Sequence, residues 1–163
     1  MLLKIFENRI NNKDIVQSPA HLLRIFQLVR LLSREETLMN LLLENNGIEI
    51  ISRNLADLRE KYFADVNNDL LSETFVEIIT LTKRIFNNSK DEAVALALIE
   101  SSIPETLQLL LGSKHDILLH CVLELLLTMV DQKKFMGPKA GAVVRALEQL
   151  YTVDRLLKIL DDF

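Results

Sequence analysis

Residues 102–130, SIPETLQLLLGSKHDILLHCVLELLLTMV, constrain the fold more than any other stretch of the chain. A short helix opens at Pro104 and breaks at Gly112-Ser113, and a longer helix follows that is apolar almost all round. Its polar residues, Asp116, His120, Glu124 and Thr128, recur at every fourth position, which keeps them on one face of an α-helix. A helix that is apolar elsewhere must be packed on most sides. The long helix is therefore expected in the body of the protein, with one narrow ridge open for contact with a partner.

The rest of the chain reads as helix too. Only four Gly and three Pro are present, and no segment alternates apolar with polar residues for long, so β-structure is not expected. Apolar residues make up 49% and charged residues 26%, the balance of a chain that buries a core. At 163 residues it is expected to form one domain over 1–163. The net charge of −4 gives no case for nucleic acid. It divides as +3 over residues 1–32, −9 over 33–132 and +2 over 133–163. An acidic middle fits either solvated faces or a groove for a basic or amphipathic segment. Cys121 is the only cysteine, so no internal disulfide forms and an intracellular site, cytoplasmic or nuclear, is expected. Residues 1–7 become charged too early for a signal peptide. His120 and Glu124 interrupt the longest apolar run before the ~20 residues of a membrane span.

Local signals place the helices. A short helical pattern covers Leu2–Ile10. Ser18-Pro19 is a helix start for a segment running to Leu32. Ser33 and Glu36 form the pattern of a capping box for the next helix, which stops at Asn45-Asn46-Gly47, a left-handed signal. Ile48 to about Arg59 is helical, 60–68 reads as a polar loop, and Asn68 or Asp69 caps a long helix over Leu70–Phe86. Asp91–Glu100 follows, then the opening stretch. Two last helices are expected at about 142–150 and 153–160.

The order of lengths repeats. Leu42-Leu43-Glu44-Asn45-Asn46-Gly47-Ile48 is echoed by Leu98-Ile99-Glu100-Ser101-Ser102-Ile103, about 55 residues on. Helical repeats usually recur at ~40–47 residues, and the polar segment 60–68 accounts for the excess as an insertion. With Ile103-Pro104-Glu105-Thr106-Leu107-Gln108-Leu109-Leu110-Leu111-Gly112-Ser113 in view, the chain resembles the armadillo repeat family, whose second helix reads roughly IPxLVxLLxS. Leu118 falls at that family's Val position, Val122 and Leu123 at its Ala pair, Leu125-Leu126 at its Ala-Leu and Met129 at its Ile. The resemblance implies a short right-handed superhelical solenoid of about three repeats, near 1–33, 34–88, 89–132 and a partial repeat or cap at 133–163. Glu124 and Thr128 stand where nuclear-import members carry Trp and Asn, and the chain has no Trp, so their grip on a peptide backbone is not implied here.

In that family the third helices line a concave surface. The corresponding stripes are Arg24 and Gln27, with His21 beside them, then Glu73, Glu77, Thr80 and Arg84, then His120, Glu124 and Thr128. The expected function is a non-enzymatic interaction module or scaffold that binds a peptide or helical segment of a partner protein along these stripes. The alternative is an oligomerisation or regulatory helical domain, resembling the armadillo-like regions of cytoskeletal regulators and binding through its terminal helices. Leu147, Leu150, Tyr151 and Leu157 are the candidate surface for that role, with Leu28, Val29 and Leu32 at the other end. The apolar ends fit a cap, a dimer or a piece of a longer protein. A small all-α enzyme is a third reading, but no Gly-rich phosphate loop and no nucleophile with a base beside it are present. His120 and Glu124 lie one turn apart, as metal ligands can, yet no second His or Cys joins them, so neither metal nor cofactor is expected.

Overall fold

The computed structural model of the chain describes residues 18–88 and 92–130. Among these residues the protein is all-helical, with no strand: α1 (Pro19–Leu32), α2 (Glu36–Glu44), α3 (Gly47–Ala64), α4 (Asp69–Asn88), α5 (Glu92–Glu100), α6 (Ile103–Leu110) and α7 (Asp116–Val130). The helices expected at 2–10, 142–150 and 153–160, and with them Leu147, Leu150, Tyr151 and Leu157, lie outside the described residues.

Local chemistry accounts for most boundaries. Ser18 has an extended backbone ahead of Pro19, and its carbonyl accepts from the N–H groups of His21 and Leu22 at 3.1 and 3.2 Å. Ser33 does not cap α2 as the capping-box pattern suggested. Its N–H donates to the Val29 carbonyl and its hydroxyl to the Arg30 carbonyl at 2.8 Å, so it closes α1 instead. The left-handed residue of the next break is Asn46, with φ 59°, and Gly47 is already the first residue of α3. Gly47 is required there by space: a Cβ would lie 2.5 Å from the Leu42 carbonyl oxygen and 2.7 Å from Leu42 Cγ.

The segment 60–64, read as loop from its polarity, continues α3. Leu55, Leu58 and Tyr62 extend one buried stripe through it, while Glu60 stays in solvent. Tyr62 packs edge-on against Phe75 with ring centroids 5.5 Å apart. The connection shrinks to 65–68, where the Asn68 side chain accepts from the Leu71 N–H at 3.3 Å and opens α4.

The helices group into successive triplets, α2–α4 and α5–α7, with α1 ahead of the first. α4 lies between α1 and α7, and α3 lies beside α6. Asp69 meets His115 near the starts of α4 and α7, and Lys83 meets Glu124 further along both, so the two helices run in the same direction. Arg30 meets Glu77 and Ser33 meets Arg84, which gives α1 that direction as well. In the second row, Ser52 bonds Ser102 before α6 and Tyr62 bonds Ser113 after it, each at 2.7 Å. These side-chain bonds between helices join residues 41 to 54 positions apart, about the length of one triplet.

One apolar cluster runs through all seven helices, from Leu22 and Phe26 to Met129. In α7, Leu118, Val122, Leu125 and Met129 are buried toward α4 and α6, yet Ile117 and Leu127 are 69% and 67% exposed. Among the described residues the helix packs against α4 and α6, with Leu119, Leu123 and Leu126 also against the core, and its open face carries Ile117 and Leu127 beside Asp116 and His120.

Gly47→Ala is expected to destabilise the fold, because the clash with Leu42 costs about 1–3 kcal/mol. That outweighs the gain of about 1 kcal/mol that Ala brings to a helix. Gly112→Ala, whose Cβ would meet only the Leu109 carbonyl at 3.7 Å, should leave the midpoint of urea unfolding almost unchanged.

Candidate binding surface

The row α1–α4–α7 brings the candidate stripes onto adjacent helices. The outward residues of α4 are Glu73, Val76, Glu77, Thr80, Lys83 and Arg84, which recur at helical spacing between its two buried flanks. On one side the Glu77 carboxylate takes a two-point ion pair from Arg30 of α1, through Nε and, at 3.3 Å, through Nη2. On the other, Lys83 Nζ donates to the Glu124 carboxylate of α7 at 2.8 Å. His120 Nε2 approaches the other oxygen of Glu124 at 3.6 Å.

Arg84 does a different job. Its Nη1 donates to the Arg30 carbonyl at the end of α1 and to the Ser33 hydroxyl at 3.0 Å. A cation from α4 thereby satisfies a carbonyl at the negative end of a neighbouring helix. Burial, then the nearby Arg34 and Arg30 charges, lower the Arg84 pKa from its usual value. The hydroxyls of Thr80 and Thr128 donate back to the Val76 and Glu124 carbonyls, each at 2.7 Å. Arg24, His21, Glu73 and His120 are exposed, and Gln27 is half-buried.

These pairings alter the electrostatic reading. Glu77 and Glu124, two acidic residues of the expected stripes, each carry a cation from the adjacent helix. Across the row Arg24, Arg30, Lys83 and Arg84 face Glu73, Glu77 and Glu124, so the surface is of mixed sign. Arg30 and Lys83 were missed because each helix was read as an isolated stripe. The signal was an opposite charge one triplet away, at separations of 47 and 41 residues.

Burial pushes the Cys121 thiol above its ordinary range, and Glu124 raises it further, so at neutral pH it is a protonated, half-buried thiol. Among the described residues no three His, Cys, Asp or Glu are placed to hold a metal ion. A cleft of about 680 Å³ lies between α2 and the end of α4. Its apolar lining is Met39, Leu43 and Val94, and its titratable lining is Arg34, Glu36 and Glu44. No single helix among the described residues is long and apolar enough to cross a membrane. α5 and α6 reach that composition only as a pair bent by 56°, and their Leu98, Ile103 and Leu107 lie in the core.

No protein family, no curated protein and no solved structure matches the chain.

Two outcomes follow from the charge geometry. Arg84→Met is expected to lower stability by about 1–2 kcal/mol, since it removes charge-assisted bonds to partly buried acceptors, whereas Arg24→Met on the exposed face should change it by less than about 0.5 kcal/mol; chemical denaturation compares them. The hydrogen bond from Lys83, and then its charge, hold the Glu124 carboxyl below the usual carboxylate range. Its depressed folded pKa means that this contribution is present above the unfolded value and lost as pH falls through the folded one. Lys83→Met should therefore move the Glu124 titration midpoint upward, as followed by its carboxyl carbon-13 shift.

Proposed function

We propose that the chain is a non-enzymatic protein-binding module built as a short armadillo-type α-solenoid. On this reading it engages a peptide or amphipathic helix of a partner along the row α1–α4–α7. The observation that supports this most is the unit-spaced stacking: three parallel helices side by side, tied by side-chain bonds that span about one triplet. Stacked units generate an extended surface made of the same face of successive helices, the usual binding surface of such architectures. Mixed charges along that surface favour selectivity and register over bulk attraction. A single cysteine, with no second one in the chain to pair with, accords with an intracellular, reducing setting.

A test has to separate binding from folding. Glu77 and Glu124 serve poorly, because both hold neighbouring helices. Arg24, Glu73 and His120 are exposed positions on the same row. The triple variant Arg24→Glu, Glu73→Arg, His120→Glu should unfold like the wild type and lose the partners that the wild-type chain recovers in a quantitative pull-down. Equal recovery by both chains would remove the row from the binding surface.

The alternative is association through exposed ends, and one observation favours it: Leu28 and Leu31 on α1 are 52% and 49% exposed. A dimer seen by light scattering and abolished by Leu28→Glu, with the fold retained, would replace the first reading.

A further inference from the structure

Four of the large apolar side chains that the described residues leave exposed belong to one edge of the protein. Phe63, Val66 and Leu70 are 48%, 46% and 42% exposed, and Ile117 is 69% exposed. Two bridges bring them together. Tyr62, the neighbour of Phe63, bonds Ser113 at 2.7 Å, and Asp69, the neighbour of Leu70, bonds His115 two residues before Ile117 at 3.2 Å. Val66 lies in the turn between, closed by the Asn68 N–H on the Asp65 carbonyl at 3.2 Å. The edge therefore comprises the end of α3, the 65–68 connection and the first turns of α4 and α7.

Grouped apolar side chains rimmed by charge mark interaction sites on protein surfaces. The rim here is acidic. Residues 60–70 and 114–117 contain Glu60, Asp65, Asp69 and Asp116 against Lys61 and Lys114, a net charge of −2 with His115 neutral. We infer that this edge docks a basic amphipathic helix of a partner protein, its apolar side chains on Leu70, Ile117 and Val66 and its Lys or Arg residues toward Asp65 and Asp116. Two other occupants fit less well. A second copy placed on a two-fold axis would set the same carboxylates against one another. An anionic membrane leaflet would be repelled by them. The inference rests on the exposed apolar side chains and charge at this edge; the row α1–α4–α7 adjoins it, with Glu73 and His120 one turn further along α4 and α7.

The probe is a fluorescent 14-residue peptide of Leu and Lys, with Leu at helical spacing, titrated against the full chain by anisotropy. Its controls are the same pattern in Leu and Glu, and a scrambled Leu and Lys sequence. The patterned basic peptide should bind, and both controls should bind far more weakly. The double variant Leu70→Ser, Ile117→Ser should weaken binding by about tenfold or more. The double variant Asp65→Asn, Asp116→Asn should weaken it severalfold and flatten its salt dependence, which guards against a folding defect in the first variant. The variant Lys83→Met, thirteen residues along α4 from Leu70, should bind the peptide normally, which separates an effect at the edge from one on the row. Equal binding of the acidic peptide, unchanged affinity in both edge variants, or tighter binding to phosphatidylserine vesicles than to the peptide would overturn the inference.

Discussion

The structure depends on α4 being apolar along two flanks at once. Phe75, Ile78, Ile79, Leu81 and Ile85 are almost fully buried, and each such side chain removed from water contributes about 1.5–3 kcal/mol. One flank holds α1 and the other holds α7, with α3 behind. A helix with a single apolar stripe could join only one neighbour. The second flank is what lets one triplet continue into the next, and the strip left between the flanks is all that remains for polar chemistry. The buried hydroxyls of Thr74 and Thr82 fit these flanks because each donates to a carbonyl one turn back, at 2.6 and 2.8 Å.

That strip is narrow, so its charges are used between helices. Glu77 faces Arg30, Lys83 faces Glu124, and Arg84 reaches the carbonyl end of α1. Half-exposed ion pairs of this kind add little net stability. Their geometric effect is larger, because each joins residues about one triplet apart and so selects one sliding register among those that apolar packing tolerates. Apolar burial brings the helices together, and the bridges set how they align.

Much of this was legible in the residues, and the parts that were not share a cause. Ser18-Pro19, the left-handed break near Asn46, Asn68 ahead of α4 and Pro104 at the start of α6 are signals of local backbone chemistry, and the helices begin and end where they place them to within a few residues. Residues 60–64 misled because their solvent-facing members are polar, while the stripe that keeps them helical rests on Leu58 and Tyr62, whose partners lie on other helices. Ser33 misled in the same way: one hydroxyl had two possible uses, and the end of α1 claimed it. Glu77 and Glu124 lie on the neighbouring helices α4 and α7. Their neutralisation was invisible because the cations sit 47 and 41 residues away. Sequence periodicity reports which face a residue occupies, and says nothing of what stands opposite.

The same division of labour explains where recognition chemistry is left over. Along the middle of the row, charged side chains have partners on the next helix, and a ligand that recruits them must break an existing pair. At the edge where α3 ends and α4 and α7 begin, the backbone has to turn, and neighbouring helices cannot cover the side chains carried there. Val66 sits in that turn, and Leu70 and Ile117 sit in the first turns beyond the buried flanks. Acidic residues collect at the same place for a separate reason, since carboxylates are favoured at helix starts and Asp69 and Asp116 each occupy one. Exposed apolar surface and negative charge therefore coincide through the geometry of parallel helices whose starts lie at one end.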